Sequence, residues 1–307
     1  MSSTTVSSKA STTTSAAQSS PVPEKNVYGR RLAGDIASYV LLTILSIIWI
    51  VPIVWVFMES FNKNPQPYQT SFFPKQFSLD NYVKLFTDTS SLDFPRMYMN
   101  TLIIAIFTCV ISVFFVLAVA YCMSRLRFRM RRTFMNVVLI LGMFPAIMAV
   151  VAIYFILKAV GLTSSNTTII ALILVYSAGS GAGFYVMKGY MDTIPFSLDE
   201  AARLDGCNNW QVFTKIIIPI ARPMIVYQAI VSFLGPWLDF VLAKAIATTA
   251  DGYTVSLGLW SMLQKEYIHT YYARFAAGAV LVSIPIAILF MVMQRFYQES
   301  MSGATKG

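Results

Sequence analysis

Six stretches of this chain are long and apolar enough to leave almost no choice of fold. They cover residues 37–58, 99–123, 134–157, 169–187, 224–245 and 275–296. A hydrocarbon core about 30 Å thick is crossed by about 20 residues of helix. Lipid offers no partner to a peptide N–H or C=O, so each run is predicted to close its own hydrogen bonds as an α-helix. The fold class expected is an all-α integral membrane protein with six transmembrane helices. Pro52, Pro145, Pro236 and Pro285 fall inside or near the ends of these runs, where neighbouring helices can answer the freed carbonyls.

Composition agrees with a membrane chain. Of 307 residues, 56% are hydrophobic and only 12% charged, with a mean hydropathy of +0.63, which excludes a soluble globular protein. A net charge of +9 would suggest nucleic acid in a soluble chain, but here the basic residues flank apolar runs. That is the positive-inside pattern. Arg125, Arg127, Arg129, Arg131 and Arg132 crowd the connection after the second run, which is therefore expected in the cytoplasm. Counting spans from there puts both termini inside and loops 59–98, 158–168 and 246–274 outside. Residues 1–24 are rich in Ser and Thr, lack core-forming residues and read as a disordered cytoplasmic tail. They have no n-region or h-region of a signal peptide. A six-span membrane domain is expected over 25–297, then a short cytoplasmic tail over 298–307. Cys109, Cys122 and Cys207 are scattered, His269 has no second ligand at metal spacing, and no metal site is expected.

The longest polar interruption in the second half lies within loop 189–222. It reads S-L-D-E-A-A-R-L-D-G-C-N-N-W-Q-V-F-T-K-I-I-I-P-I-A-R-P over residues 197–223. Ser197 and Glu200 have capping-box spacing, which predicts a short helix starting near Ser197. Gly206 supplies the permissive backbone for a reversal. Phe213, Ile216 and Ile217 give a second helix an apolar face, and Pro223 opens the next span.

The same stretch carries a family resemblance. Glu200-Ala201-Ala202, Gly206, Ile216, Ile218 and Pro219 resemble the E-A-A…G…I-x-L-P signature of permease subunits of bacterial ABC importers, with Ile218 where Leu is usual. The resemblance implies the type I importer permease fold and a cytoplasmic coupling helix seated in an ATPase cleft. Glu200 and Asp205 would meet basic or donor groups there. Ala201 and Ala202 would let the helix seat, Gly206 would set the turn, and Ile216 and Pro219 would complete the motif. Leu79-Asp80-Asn81-Tyr82 and Asn100-Thr101-Leu102 resemble landmarks of the carbohydrate importer subfamily. The ending Gly303-Ala304-Thr305-Lys306-Gly307 resembles that of the second maltose/maltodextrin-type permease, whose tail, here Lys306 and Gly307, reaches between the ATPase subunits.

The resemblance also implies a non-catalytic subunit of the bacterial plasma membrane. Its implied partners are a second permease, two ABC ATPase subunits, an extracellular solute-binding protein, an oligosaccharide and membrane lipid. No cofactor is expected in this chain, because no G-x-x-x-x-G-K-[ST] occurs; ATP and Mg would bind the ATPase subunits. Gly179, Gly181 and Gly183 fail as a nucleotide fingerprint and suit close helix approach. Asp239, in Gly235-Pro236-Trp237-Leu238-Asp239-Phe240, resembles a W-N-[DE]-F landmark with Leu238 in place of Asn. Asp239 and Trp237 are candidates to line the translocation cavity, with a helix cap as the alternative for Asp239. Within the importer reading the solute could be another sugar or glycerol-phosphate. A secondary transporter would place paired ionisable groups at the midplane, whereas Asp239 is the one acidic candidate inside a run. A receptor without transport would not need the docking loop.

Overall fold

A computed structural model of the chain describes residues 24–63, 72–89, 92–179 and 183–304. The described residues form α1 (Glu24–Ser60), α2 (Asp80–Thr87), α3 (Phe94–Arg125), α4 (Arg131–Gly142), α5 (Ala146–Ala159), α6 (Thr168–Gly179) and α7 (Phe184–Thr193). There follow α8 (Phe196–Leu204), α9 (Asn209–Val212), a π turn (Phe213–Ile217), α10 (Ile218–Ile220), α11 (Arg222–Leu238), α12 (Val241–Ile246), α13 (Val255–Met262) and α14 (Ile268–Ala304). All but the last residue of the expected N-terminal tail lies outside the described residues. α14 carries the backbone through most of the expected C-terminal tail as helix.

Four helical stretches are individually long and apolar enough to cross a bilayer: 34–60, 94–125, 165–193 and 268–294. The two remaining predicted runs are bent. The third breaks at Pro145, where the two halves meet at 105°. The fifth, expected over 224–245, leaves the helix at Asp239 (φ −77°, ψ 129°), so α11 and α12 are separate. A second bend of 79° separates the α9–α10 segment from α11, with Pro223 in the first turn of α11. Pro52 and Pro285 stay inside α1 and α14.

The chain divides at Ile53 into two units. In the first, α1 from Gly34 to Ile53 is exposed and apolar, with Trp49 74% exposed. The second unit is arranged around α3, which packs on α6, α7, α11 and α13. The buried face of α3 runs Thr101, Ala105, Thr108, Ser112, Val116, Ala120, Ser124. These steps of three and four trace one helical stripe. Because lipid is as apolar as Leu, such contacts are held by close van der Waals packing, for which small residues are suited. Gly183 follows the same rule: a Cβ there would lie 2.8 Å from Gln228 Oε1 on α11. Gly181 is outside the described residues.

At its first end, α3 meets a more protein-like core of Leu85, Phe94, Met97, Val255, Met262 and Tyr271. Asn100 Nδ2 donates to the carbonyls of Asp251 (2.9 Å) and Tyr253 (3.1 Å). Thr101 Oγ1 accepts from Val255 N at 2.8 Å. The short helix α2 follows Ser78, whose Oγ accepts from Asp80 N at 3.0 Å. Its buried residues are Asn81 and Leu85, whereas Leu79, Val83 and Phe86 are exposed. Asn100→Ala removes the donor from two carbonyls, and an unanswered buried polar group costs about 1–3 kcal/mol. The expected result is a lower thermal unfolding midpoint in detergent, with new protease cleavage between residues 246 and 254.

Candidate functional site

The polar stretch folds as two short helices around a reversal. Gly206 holds φ +85°, a conformation that costs other L-residues about 1–2 kcal/mol. Its N–H donates to Arg203 O and that of Cys207 to Ala202 O, closing the end of α8. The capping box predicted at Ser197 is absent. α8 begins at Phe196, behind Pro195, and no side chain caps it. Proline fixes φ near −65°, already suited to a helix entrance, so the start moves ahead of Ser197. A capping box does occur one helix later. Asn208 Oδ1 accepts from Gln211 N and Gln211 Oε1 accepts from Asn208 N, each at 2.9 Å.

The loop is pinned to its own chain along one side. Ala202, Val212, Phe213 and Ile217 are buried in a core shared with α3 and α7, and Ile216 packs against it. Tyr121 on α3 donates to Asn209 O at 3.0 Å, Arg203 to Asn209 Oδ1 at 3.0 Å, and Tyr190 on α7 to Ile220 O at 3.1 Å. Phe213 and Ile217, predicted on one helical face, share the buried side through the π turn, one residue wider than an α-helical turn.

The opposite side is open. Glu200, Ala201, Asp205, Gly206 and Pro219 are exposed, together with Leu204 (89%) and Trp210 (64%). The predicted residues therefore divide, with Ala202 and Ile216 facing this chain's core and Glu200, Ala201, Asp205, Gly206 and Pro219 facing outward. Leu204 and Trp210 were missed by sequence reasoning, although apolar residues beside Glu and Asp in a polar loop are themselves a signal. Between α3 and α8 lies a cleft of about 410 Å3 lined by Arg125, Arg127, Asp199, Glu200, Arg203 and Asn209. The floor of the cleft is an ion pair, Arg125 Nε to Asp199 Oδ2 at 3.5 Å, with both side chains almost fully buried.

Asp239 and Trp237 sit at the far end of α11. The Asp239 carboxylate accepts from Tyr176 Oη at 2.7 Å and from Ala243 N at 3.2 Å, so it caps α12 and ties α6 to it. Trp237 is 2% exposed and packs edge-on against Tyr98. Lys244 sits over the Trp260 ring, 5.3 Å from its centre. A recess of about 240 Å3 lies nearby, lined in part by Thr108, Tyr176, Tyr227, Gln228 and Ser232. Lys306 and Gly307 lie outside the described residues. Among the described residues no three His, Cys, Asp or Glu side chains cluster as metal ligands.

A membrane bundle with an outward-facing two-helix foot is the type I permease fold of ABC importers. A bacterial transporter that imports the acidic polysaccharide alginate has this fold in a crystal structure. One of its chains superposes with a TM-score of 0.72 over 90% of this chain and 99% of its own, at 22% identity. Residues 113–303 match the family described as binding-protein-dependent transport system inner membrane component, and the chain belongs to that family. It is 36% identical to a galactooligosaccharide transport permease of Bacillus subtilis over 91% of this chain and 98% of the relative. It is 32% identical to a maltodextrin transport permease of the same organism, over 92% and 100%. A maltodextrin permease of Streptococcus pneumoniae is 33% identical over 91% and 97%. The chain is thus an integral membrane permease subunit of an ABC importer. It is non-catalytic, and ATP hydrolysis is carried out by separate ATPase subunits.

Asp239→Ala removes a helix cap worth about 1 kcal/mol and leaves the Tyr176 hydroxyl unanswered. A lower unfolding midpoint in detergent is expected, smaller for Tyr176→Phe. Combining the two should cost less than their sum, since they share one hydrogen bond.

Proposed function

We propose that this chain is one of two permease subunits of an ATP-driven importer of oligosaccharides, maltodextrins or galactooligosaccharides, in a bacterial plasma membrane. The observation that carries the reading is the two-faced foot. One side of residues 196–221 is bonded into this chain, and the other presents Glu200, Leu204, Asp205 and Trp210 outward. An ATPase subunit is the proposed occupant. Glu200 and Asp205 would meet its basic or donor groups, with Leu204 and Trp210 as apolar anchors. Closure of an ATPase pair around ATP and Mg would displace the foot, and the two permease halves would rock to alternate access to a central path. The work comes from tighter ATP binding to the closed arrangement, since a ligand shifts a conformational equilibrium only through differential affinity.

Relatives named for galactooligosaccharides and for maltodextrins resemble the chain to a similar degree, so an oligosaccharide is the common proposal. A solute-binding protein would deliver it outside, and a second permease would complete the path. The recess of Tyr227, Gln228 and Ser232 offers aromatic faces and hydroxyl partners suited to a sugar. Positive-inside counting supports cytoplasmic termini, with Lys306 and Gly307 reaching the ATPase interface.

Two measurements test this. Purification of the tagged chain from its native membrane should recover a second permease, a P-loop ATPase and a solute-binding protein whose ligand names the solute. Recovery of the chain alone, in a detergent that preserves such complexes, would sink the proposal. Gly206→Pro should insert normally yet lose sugar uptake per ATP hydrolysed, because proline cannot adopt φ +85°. Normal uptake in that variant would remove the coupling role from this loop.

A further inference from the structure

Arg125 differs from the arginines that follow it. Arg127, Arg129 and Arg132 are exposed and Arg131 is half-buried, whereas the Arg125 side chain has no exposed surface. A guanidinium carries five donors and does not give up its charge, so it can be buried only where its surroundings answer both. Two neighbouring helices answer the charge and one of its nitrogens here. At the end of α7, Met191 O and Ile194 O each accept from Arg125 Nη2 at 2.9 Å. Ile194 O lies just past the end of α7, and Met191 O, in its last turn, also accepts from Ile194 N at 3.2 Å. On α8, the Asp199 carboxylate faces Arg125 Nε at 3.5 Å, and the Phe196 ring lies 4.4 Å from the guanidinium carbon.

Asp199 precedes Glu200, so one turn of α8 has a carboxylate turned inward to α3 and another turned out to solvent. Sliding α8 away from α3 would strand two buried charges, the least favourable of the loop's movements. A displacement applied to the outer side of α8 is therefore passed to α3 more readily than it is absorbed between them. α3 is 32 residues long, about 48 Å at helical rise, and it packs along α6, α7 and α11. The contact is not closed as a rigid fork. Arg125 Nε and Nη1 and Asp199 Oδ1 make no hydrogen bond among the described residues, so the two charges meet as a close ion pair rather than a bidentate pair.

We infer that Arg125 is a positioning residue that joins α8 to α3 as one lever, through its ion pair with Asp199, so that movement of the docked foot reaches the membrane bundle. This rests on the reading of residues 197–223 as the ATPase dock. Charge is not the whole of the join: a lysine at 125 can face Asp199 but cannot also reach both carbonyls in a planar fork.

The test uses the complete importer in proteoliposomes, with maltotriose or a galactotriose as the transported probe according to what its binding protein takes up. Uptake and ATP hydrolysis are read on the same vesicles. Asp199→Asn keeps size and hydrogen-bonding capacity and removes the charge. The expected result is unchanged ATPase retention, hydrolysis within about two-fold of the parent, and about a ten-fold fall in sugar imported per ATP. Arg125→Lys should fall between that variant and the parent. Arg96→Gln, in an exposed ion pair at the other end of α3, should leave the ratio unchanged. An unchanged ratio in assembled Asp199→Asn complexes overturns the inference. So does an Asp199→Asn chain that inserts normally but no longer retains the ATPase, since the pair would then hold the dock together rather than transmit its motion. If Glu200→Lys or Gly206→Pro also transports normally, the dock itself is misplaced. If they fail while Asp199→Asn is normal, only the lever is lost.

Discussion

Inside a bilayer a helix can stop only where something replaces water for its last peptide groups. Several side chains do this in the described structure, and three of them stand where the bundle's helices meet. Asn100 answers the carbonyls of Asp251 and Tyr253, Arg125 answers those of Met191 and Ile194, and Asp239 answers the amide of Ala243. Each is a polar residue in or beside an apolar run, and each permits a chain break that the packing of α3, α7 and α11 requires. The polar residues of this permease are thus first of all terminators of helices.

This ordering explains what could be read from the sequence. The apolar runs were legible because length and hydropathy are one-dimensional properties, and the reversal at Gly206 because only glycine settles readily at φ +85°. The bends were less so. Pro145 announces a break but not its angle, and Asp239 looked equally suited to lining a cavity and to capping a helix. Ser197 and Glu200 have capping-box spacing, but Pro195 fixes the entrance to α8 ahead of them, and the box that forms is that of Asn208 and Gln211 at the next helix.

Arg125 shows what a charge count conceals. Among its neighbours it reads as one more positive charge at a cytoplasmic helix end. A helical register separates it, since Leu117, Tyr121 and Arg125 succeed one another at intervals of four and all are buried. The face of α3 was therefore present in the sequence, and an arginine continuing that face was a sign of a partner across it. The partner, Asp199, lay 74 residues away in sequence, and only the fold brings the two together. The recess proposed to take the sugar is least legible for a related reason. Tyr227, Gln228 and Ser232 are ordinary residues of a polar face of α11 until α3, α6 and α7 pack beside them.

The two-helix foot is fastened by the Asn208–Gln211 capping box and by bonds from Tyr121, Arg203 and Tyr190. Every one of those bonds lies within this chain. A segment already ordered before it meets its partner does not spend association free energy on losing conformational entropy. Whatever binds the open side of α8 meets one shape rather than an ensemble, so the free energy of contact remains available for moving the helix rather than for folding it.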